Sequence, residues 1–396
     1  MTPIRSATLT VLASAILATS LTGCQFSDDP QQTGEIVIRA DLELSGAAAP
    51  AGEAYQRALE LKVEQINASG VLGGRTLSLK VKDNRSDPNE SLRNIGEFAN
   101  DPSVSAIIMG SCDACAVAAA KTINEKKIPT IALASANEVA APISDRRYVF
   151  KLAPNALDSA ATLVSELKLA QPKVKDVGVI YTDDTYGRDG HAAMKAELDK
   201  AGIKIAASEA IRAGETDLTA AVSALVEAKS DAIVVWTNSE QSLLAATQAK
   251  ADEFKGGLYF DAHAAGDLFL EGQGGIAAED AKMVFSQTMV IDDVIATTPA
   301  KAARKQWFRD YTAKFGGYHG ASSFAADALQ LLTDAAVRAD STSEDANRDG
   351  LRDVLETSQM DGLSGPIRLT PDNHSGLMPQ ALSMLVARGG RWRLAS

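Results

Sequence analysis

Residues 35–82 read EIVIRADLELSGAAAPAGEAYQRALELKVEQINASGVLGGRTLSLKVK, and three patterns succeed one another within them. EIVIRA (35–40) is a short apolar run rich in β-branched residues, the pattern of a buried strand. Over GEAYQRALELKVEQIN (52–67) the period changes, and Tyr55, Leu59, Val63 and Ile66 fall on one helical face. TLSLKVK (76–82) then alternates Leu77, Leu79 and Val81 with polar residues, as a half-buried strand does. Strand, helix, strand in that order predicts a parallel pair with a helix covering one face.

The rhythm continues with helix 87–100, strand 104–109, helix 114–126 and strand 128–133. It restarts with helix 155–170, strand 176–181, helix 187–201, strand 203–208, helix 216–228, strand 231–236, helix 239–253 and strand 257–261. Helices at 299–315, 320–339 and 350–357 and a late strand ALSMLVAR (381–388) complete the chain. Two alternating blocks predict an α/β protein of two lobes, each a doubly wound parallel sheet. In such folds ligands sit where strand C-termini face one another across a cleft, so the loops after those strands are the place to look for function.

The N-terminus, MTPIRSATLTVLASAILATSLTGCQ, has one base, Arg5, before an acid-free apolar stretch, which is the layout of a secretory signal peptide. Its ending, Leu21-Thr22-Gly23-Cys24, resembles a bacterial lipobox, so residues 1–23 are expected to be removed and Cys24 to carry lipid. Polar residues with Pro and Gly up to Gly34 then form a flexible tether, taken as 24–34. A formal net charge of −12 with no basic cluster argues against a nucleic-acid partner.

With Cys24 assigned to lipid, the remaining cysteines are the pair in GSCDAC (110–115), Cys112 and Cys115. In an oxidising compartment an even pair favours a structural disulfide, with free thiols or a redox dithiol as the other readings. A zinc site would need two more ligands, and no second C-x-x-C or neighbouring histidine supplies them. Nucleotide-loop, nucleophile-elbow and zinc-protease motifs are absent, and the four histidines, His191, His263, His319 and His374, have no metal spacing. The sequence therefore predicts neither an enzyme nor a cofactor. Residues 345–356 match a calcium-loop pattern, but Arg352 stands where such loops carry an apolar residue, and a polar loop capped by Asn347 or Asp349 is the expectation.

The stretch 42–88 resembles the opening of the leucine/isoleucine/valine-binding family of type I solute-binding proteins, with its "lSG" loop, "INaaGGvlGgr" segment and "D…dP" turn. Further likeness follows in order at GSCDACAVAAAKTINEKKIPTIALASAN (110–137), DDTYGRDG (183–190), AGETDLTAAVSAL (213–225), DAIVVW (231–236) and FAADALQLL (324–332). The resemblance implies a type I periplasmic-binding-protein fold whose chain crosses between lobes near 151–155, 284–288 and 364–370. It implies an N-terminal lobe of 35–152 plus 288–364 and a C-terminal lobe of 153–287 plus 365–396. It also implies a lipid-tethered extracytoplasmic receptor that hands a small solute to the permease of an ABC importer; a sensory receptor on the same fold is the alternative.

Amino-acid-binding members hold the ligand's carboxylate with a serine and a threonine and its ammonium with an acid. By this resemblance the serine position is Asp113, the threonine position Ala136 and the acid position His263, while Ala51 replaces an aromatic. A carboxylate at 113 would repel a ligand carboxylate, so a solute with donor groups, such as an amide, a urea-like compound or a cation, is expected in place of a standard α-amino acid. Ser111 and Ser135 are candidate substitutes, Ala134 offers its carbonyl, Tyr186 matches a ligand-facing tyrosine, and Trp236 and Asn238 end a strand at the cleft. Asn238 is equally suited to cap helix 239–253, with Gln241 closing the box.

Overall fold

Ile36, Ile38, Ala40 and Leu42 of the first strand are fully excluded from solvent, and Val37 nearly so, because β1 (Glu35–Leu42) is a central strand covered on both faces. The computed structural model describes residues 34–265 and 273–395. The signal peptide, Cys24 and the tether up to residue 33 lie outside the described residues. After β1 come α1 (Ala49–Ser69), β2 (Thr76–Asp83), α2 (Pro88–Asn100), β3 (Val104–Met109), α3 (Asp113–Glu125), β4 (Thr130–Ala132) and β5 (Val149–Lys151). They build one sheet in the order β2-β1-β3-β4-β5, parallel throughout.

Local chemistry fixes these turns. α1 stops at Gly70, whose φ of 76° needs no Cβ. Asn67 then clamps the helix end to β2, accepting from the Leu77 amide at 2.8 Å and donating to the Leu77 carbonyl at 3.0 Å. α2 opens with Asp87 accepting from the Asn89 amide while Pro88 supplies a preset φ.

The second lobe begins with α4 (Ala156–Leu169), β6 (Asp176–Thr182), α5 (Thr185–Ala201), β7 (Lys204–Ile211) and α6 (Thr219–Glu227). β8 (Ala232–Trp236), α7 (Ser239–Ala251), β9 (Gly257–Phe260), α8 (Gln273–Ala277) and β10 (Lys282–Ser286) follow. The chain then passes through α9 (Pro299–Phe315), α10 (Ser322–Arg338), α11 (Arg348–Leu355), a hairpin of β11 (Gln359–Asp361) and β12 (Pro366–Arg368), and an end hairpin of β13 (Leu382–Arg388) and β14 (Arg391–Leu394). The second sheet runs β14-β13-β10-β9-β8-β6-β7. Its β10-to-β7 portion is parallel and the β13–β14 edge antiparallel. The expected two doubly wound parallel sheets are present, the second extended by that hairpin.

α10 packs on α1, so the late helices return to the first lobe. Three crossings between lobes lie side by side. Lys151 donates its amide to the His374 carbonyl and accepts from the Gly376 amide, both at 2.9 Å, and Ser286 Oγ donates to the Ser364 carbonyl. Asp327 on α10 anchors the third crossing, accepting from the amides of Leu363 and Ser364 and from Ser364 Oγ. The loop with the calcium-type pattern serves α11: Asn347 accepts from the Gly350 amide at 3.0 Å, and Asp349 binds Tyr148 Oη and Lys127 Nζ.

Candidate functional site

At the mouth of the first sheet, two buried carboxylates organise the strand-end loops. Glu43, just past β1, is fully buried and accepts from the amides of Ser111 at 2.9 Å and Cys112 at 3.2 Å and from Asn84 Nδ2 at 3.1 Å. Gly110 is the residue that permits this approach, since a Cβ there would stand 2.0 Å from Glu43 Oε2. Burial pushes the Glu43 carboxyl up, against the pull of those hydrogen bonds.

Asp113, the first residue of α3, is 4 % exposed. Its Oδ1 accepts from the Ala136 amide at 2.5 Å and its Oδ2 from Ser135 Oγ at 3.4 Å. Burial raises the Asp113 pKa to about 6, with the Ala136 amide, His263 and Lys151 acting in the other direction. Lys151 closes β5 and is 1 % exposed; its Nζ donates to the carbonyls of Ser135 and Ala136. Burial lowers the Lys151 pKa to about 8, opposed by Asp113. Cys112 and Cys115 are joined in a disulfide, and Cys112 Sγ caps α3 by accepting from the Cys115 amide at 3.1 Å.

The second lobe contributes its own carboxylates. Asp184 caps α5, accepting from the Gly187 amide at 2.9 Å and Thr182 Oγ1 at 3.2 Å. Asp261 follows β9 and is 2 % exposed; its Oδ2 accepts from the His263 amide and lies 3.1 Å from His263 Nδ1. Burial alone would lower the His263 pKa, but the Asp261 carboxylate overrides it, so the imidazole is raised and donates to that oxygen. The Tyr186 ring packs on His263 with centroids 4.3 Å apart. Burial, then the charge of Asp261, holds the Tyr186 phenol well above its ordinary value.

The lobes meet at these loops. A cavity of about 260 Å³ lies between them, walled by Ser111 and Asp113 from one side and Asp184, Tyr186, Asn238 and His263 from the other. A smaller apolar cavity of about 60 Å³ adjoins it through His263 and is walled by Ala51, Tyr55, Leu133, Phe285 and Phe324, with His319 at its edge. The Asn137 amide in the first lobe donates to Asp189 Oδ2 in the second at 2.9 Å.

Of the residues singled out from the sequence, Ser111, Asp113, Tyr186, Asn238 and His263 line the same cavity. Ser135 and Ala136 lie behind Asp113 as its hydrogen-bond donors, and Ala134 is fully buried in the first-lobe core. Trp236 corrects the expectation of a cleft wall: it is 1 % exposed, packed behind Tyr186 and over Gly190, and lines neither cavity. Asn238 caps α7 as expected, accepting from the Gln241 amide at 2.9 Å, but the box does not close, because Gln241 Nε2 turns to the Arg212 and Glu215 carbonyls.

Sequence reasoning passed over Asp184, Asp261 and Lys151. Asp184 had a visible signal, an acid preceding a helix start in DDTYG, and Lys151 another, a lone charge inside the apolar VFKL. Asp261 stands two residues before the position read as the family's acid, and shares its charge with the histidine found there.

A family model described as periplasmic binding protein matches residues 42–390. Among curated relatives, an amino acid binding protein of Pseudomonas aeruginosa is 26 % identical over 190 residues, covering 48 % of this chain and 50 % of the relative. Leu/Ile/Val-binding protein homolog 7 of Brucella abortus is 28 % identical over 239 residues, covering 57 % and 59 %. The chain thus spans about half the length of the curated relatives it matches. Among solved structures, an extracellular ligand-binding receptor from Rhodopseudomonas palustris HaA2 superposes with a TM-score of 0.83 at 23 % identity, covering 91 % of this chain and 99 % of that one. The leucine binding protein LivK of Thermotoga maritima MSB8 gives 0.79 at 20 %, covering 91 % and 98 %. At those identities the likeness is one of fold.

Proposed function

Since the chain belongs to the periplasmic binding protein family, we propose that it is a lipid-anchored extracytoplasmic receptor that captures a small solute between its lobes and delivers it to the permease of an ABC importer. The observation that carries this reading is the cavity of about 260 Å³ whose wall is shared by strand-end loops of both sheets. In this reading the lobes, 35–152 plus 288–364 and 153–287 plus 365–396, rotate about the three crossings, and Asn137 and Asp189 touch only when they are closed. Ser111, Asp113, Tyr186, Asn238 and His263 contact the solute; Ser135, Ala136 and Lys151 hold Asp113 in place. Cys24 carries the lipid, and the chemistry at the cleft is binding without turnover.

A thermal-shift screen of the purified chain against amino acids, amides, amines and carboxylates tests the receptor reading, because a ligand that binds only the folded state raises its melting temperature. A solute that does so should also reduce the radius of gyration in solution scattering. Silence across every class, or binding with no change in dimensions, overturns it. Incorporation of labelled palmitate that persists in Cys24→Ala would overturn the anchor.

A further inference from the structure

On the receptor reading just given, we infer that the cleft takes a monocationic amine with a compact apolar substituent and no carboxylate. The donors that the strand-end loops supply are turned toward the protein's own acids. The Ser111 and Cys112 amides go to Glu43, the Ala136 amide and Ser135 hydroxyl to Asp113, the Gly187 amide and Thr182 hydroxyl to Asp184, and the His263 amide and imidazole to Asp261. An incoming carboxylate would have to displace a carboxylate already seated there. Asp113 in particular fills, from within the chain, a cradle made of one backbone amide and one hydroxyl.

Charge points the same way. Among the described residues no lysine or arginine lines either cavity, whereas Asp113 and Asp184 line the larger one. Asp261 stands directly behind His263. Of the nearby bases, His263 and Lys151 act on Asp113 and Arg188 acts on Asp184, but neither Lys151 nor Arg188 lines the cavity. A buried uncompensated charge is costly, and a cation arriving between Asp113 and Asp184 relieves that cost, while an anion adds to it.

Tyr186 on the cavity wall sets its buried phenol against the buried Asp261 carboxylate behind it. Next to the acidic wall, across His263, the smaller cavity offers Tyr55, Leu133, Phe285 and Phe324. An ammonium on a short branched hydrocarbon matches both compartments.

Four probes with one isobutyl-type body and different head groups separate the possibilities by calorimetry at pH 7.5: isobutylamine, valine, isovalerate and isovaleramide. Isobutylamine is expected to bind and the other three to bind at least tenfold more weakly. Asp113→Asn keeps the acceptor for the Ala136 amide, so it should fold with an unchanged circular-dichroism spectrum yet lose at least tenfold in isobutylamine affinity. Asp184→Asn should lose affinity in the same direction. Valine, isovalerate or isovaleramide binding as tightly as the amine, or amine affinity unchanged in Asp113→Asn, overturns the inference while leaving the receptor reading intact. Silence of all four also overturns it, and the wider thermal-shift panel then decides the receptor reading separately.

Discussion

Asn137 and Asp189 lie 52 residues apart on different lobes, and the amide of one meets the carboxylate of the other at 2.9 Å. The contact is an exposed hydrogen bond, so it biases an equilibrium without locking it. Removing it with Asp189→Ala should cost the closed arrangement about 1 kcal/mol. Scattering should then report a larger radius of gyration than for the parent chain, and affinity for any solute held between the lobes should fall about fivefold. Unchanged dimensions would show that closure rests on other contacts.

Asp113 makes stability depend on pH in an unusual direction. Its pKa lies near 6 in the folded chain against 3.8 for the free side chain, so the folded state binds the proton more tightly. Its contribution to stability is therefore largest below pH 4 and declines as pH rises toward 6, by on the order of 3 kcal/mol. Glu43, Asp41 and Asp327 are raised by burial too, so the comparison is with Asp113→Asn: its urea-derived stability should fall less between pH 4 and 6.5 than that of the parent. Equal slopes would mean that Asp113 does not titrate there.

Amine binding should follow the opposite course, strengthening from pH 5 to pH 7.5 as Asp113 ionises. The groups facing it are Ser135 and Ala136 from its own lobe, Lys151 from β5, and Asp184 and His263 across the cleft. Calorimetry with isobutylamine at the two pH values checks it.

Asp327 supports the third crossing with three bonds, to the Leu363 amide at 2.8 Å, the Ser364 amide at 2.7 Å and Ser364 Oγ at 2.6 Å. Asp327→Ala strands buried donors and opens a void, and should cost about 3 kcal/mol in chemical denaturation. Asp327→Asn keeps an acceptor and should cost less. Equal losses would assign the effect to charge rather than to the bonds.

Gly190 lies flat against the Trp236 ring, and a Cβ there would come within 2.1 Å of its Cε2. Gly190→Ala should destabilise the second lobe by about 2 kcal/mol and alter Trp236 fluorescence, since the indole is backed by packed core. No change in either would show that the ring has room to slide.

The sequence made the periodic parts of this fold legible. α9 and β3 match their expected bounds, and α1, β1, α4 and β8 differ by one to three residues at an end, because each carries enough residues to display a period. β5 with three residues and β14 with four are too short to display one, and β10 sits after a segment without clear rhythm. At the site, residue types were readable and partnerships were not. Asp113 stood out as a carboxylate in an odd place, yet its partner lies 23 residues on, at Ala136, and nothing in local spacing marks that pair. Trp236 went wrong for a related reason: an aromatic at a strand end faces the cleft or the core according to the pleat, and here Gly190 makes the core side available.

Lys151 joins two functions in one residue. Its main chain pairs with residues 374–376 at the pivot, while its ammonium grips the carbonyls of Ser135 and Ala136, the same residues that hold Asp113. On the receptor reading, this ties the fulcrum directly to the first-lobe recognition loop. A swing of the lobes would then leave the Asp113 carboxylate where it was, like a fixed jaw against which a moving one shuts. On the receptor reading, selection on this side is preset before a solute arrives, and only the opposing jaw, with Tyr186 and His263, has a position to choose.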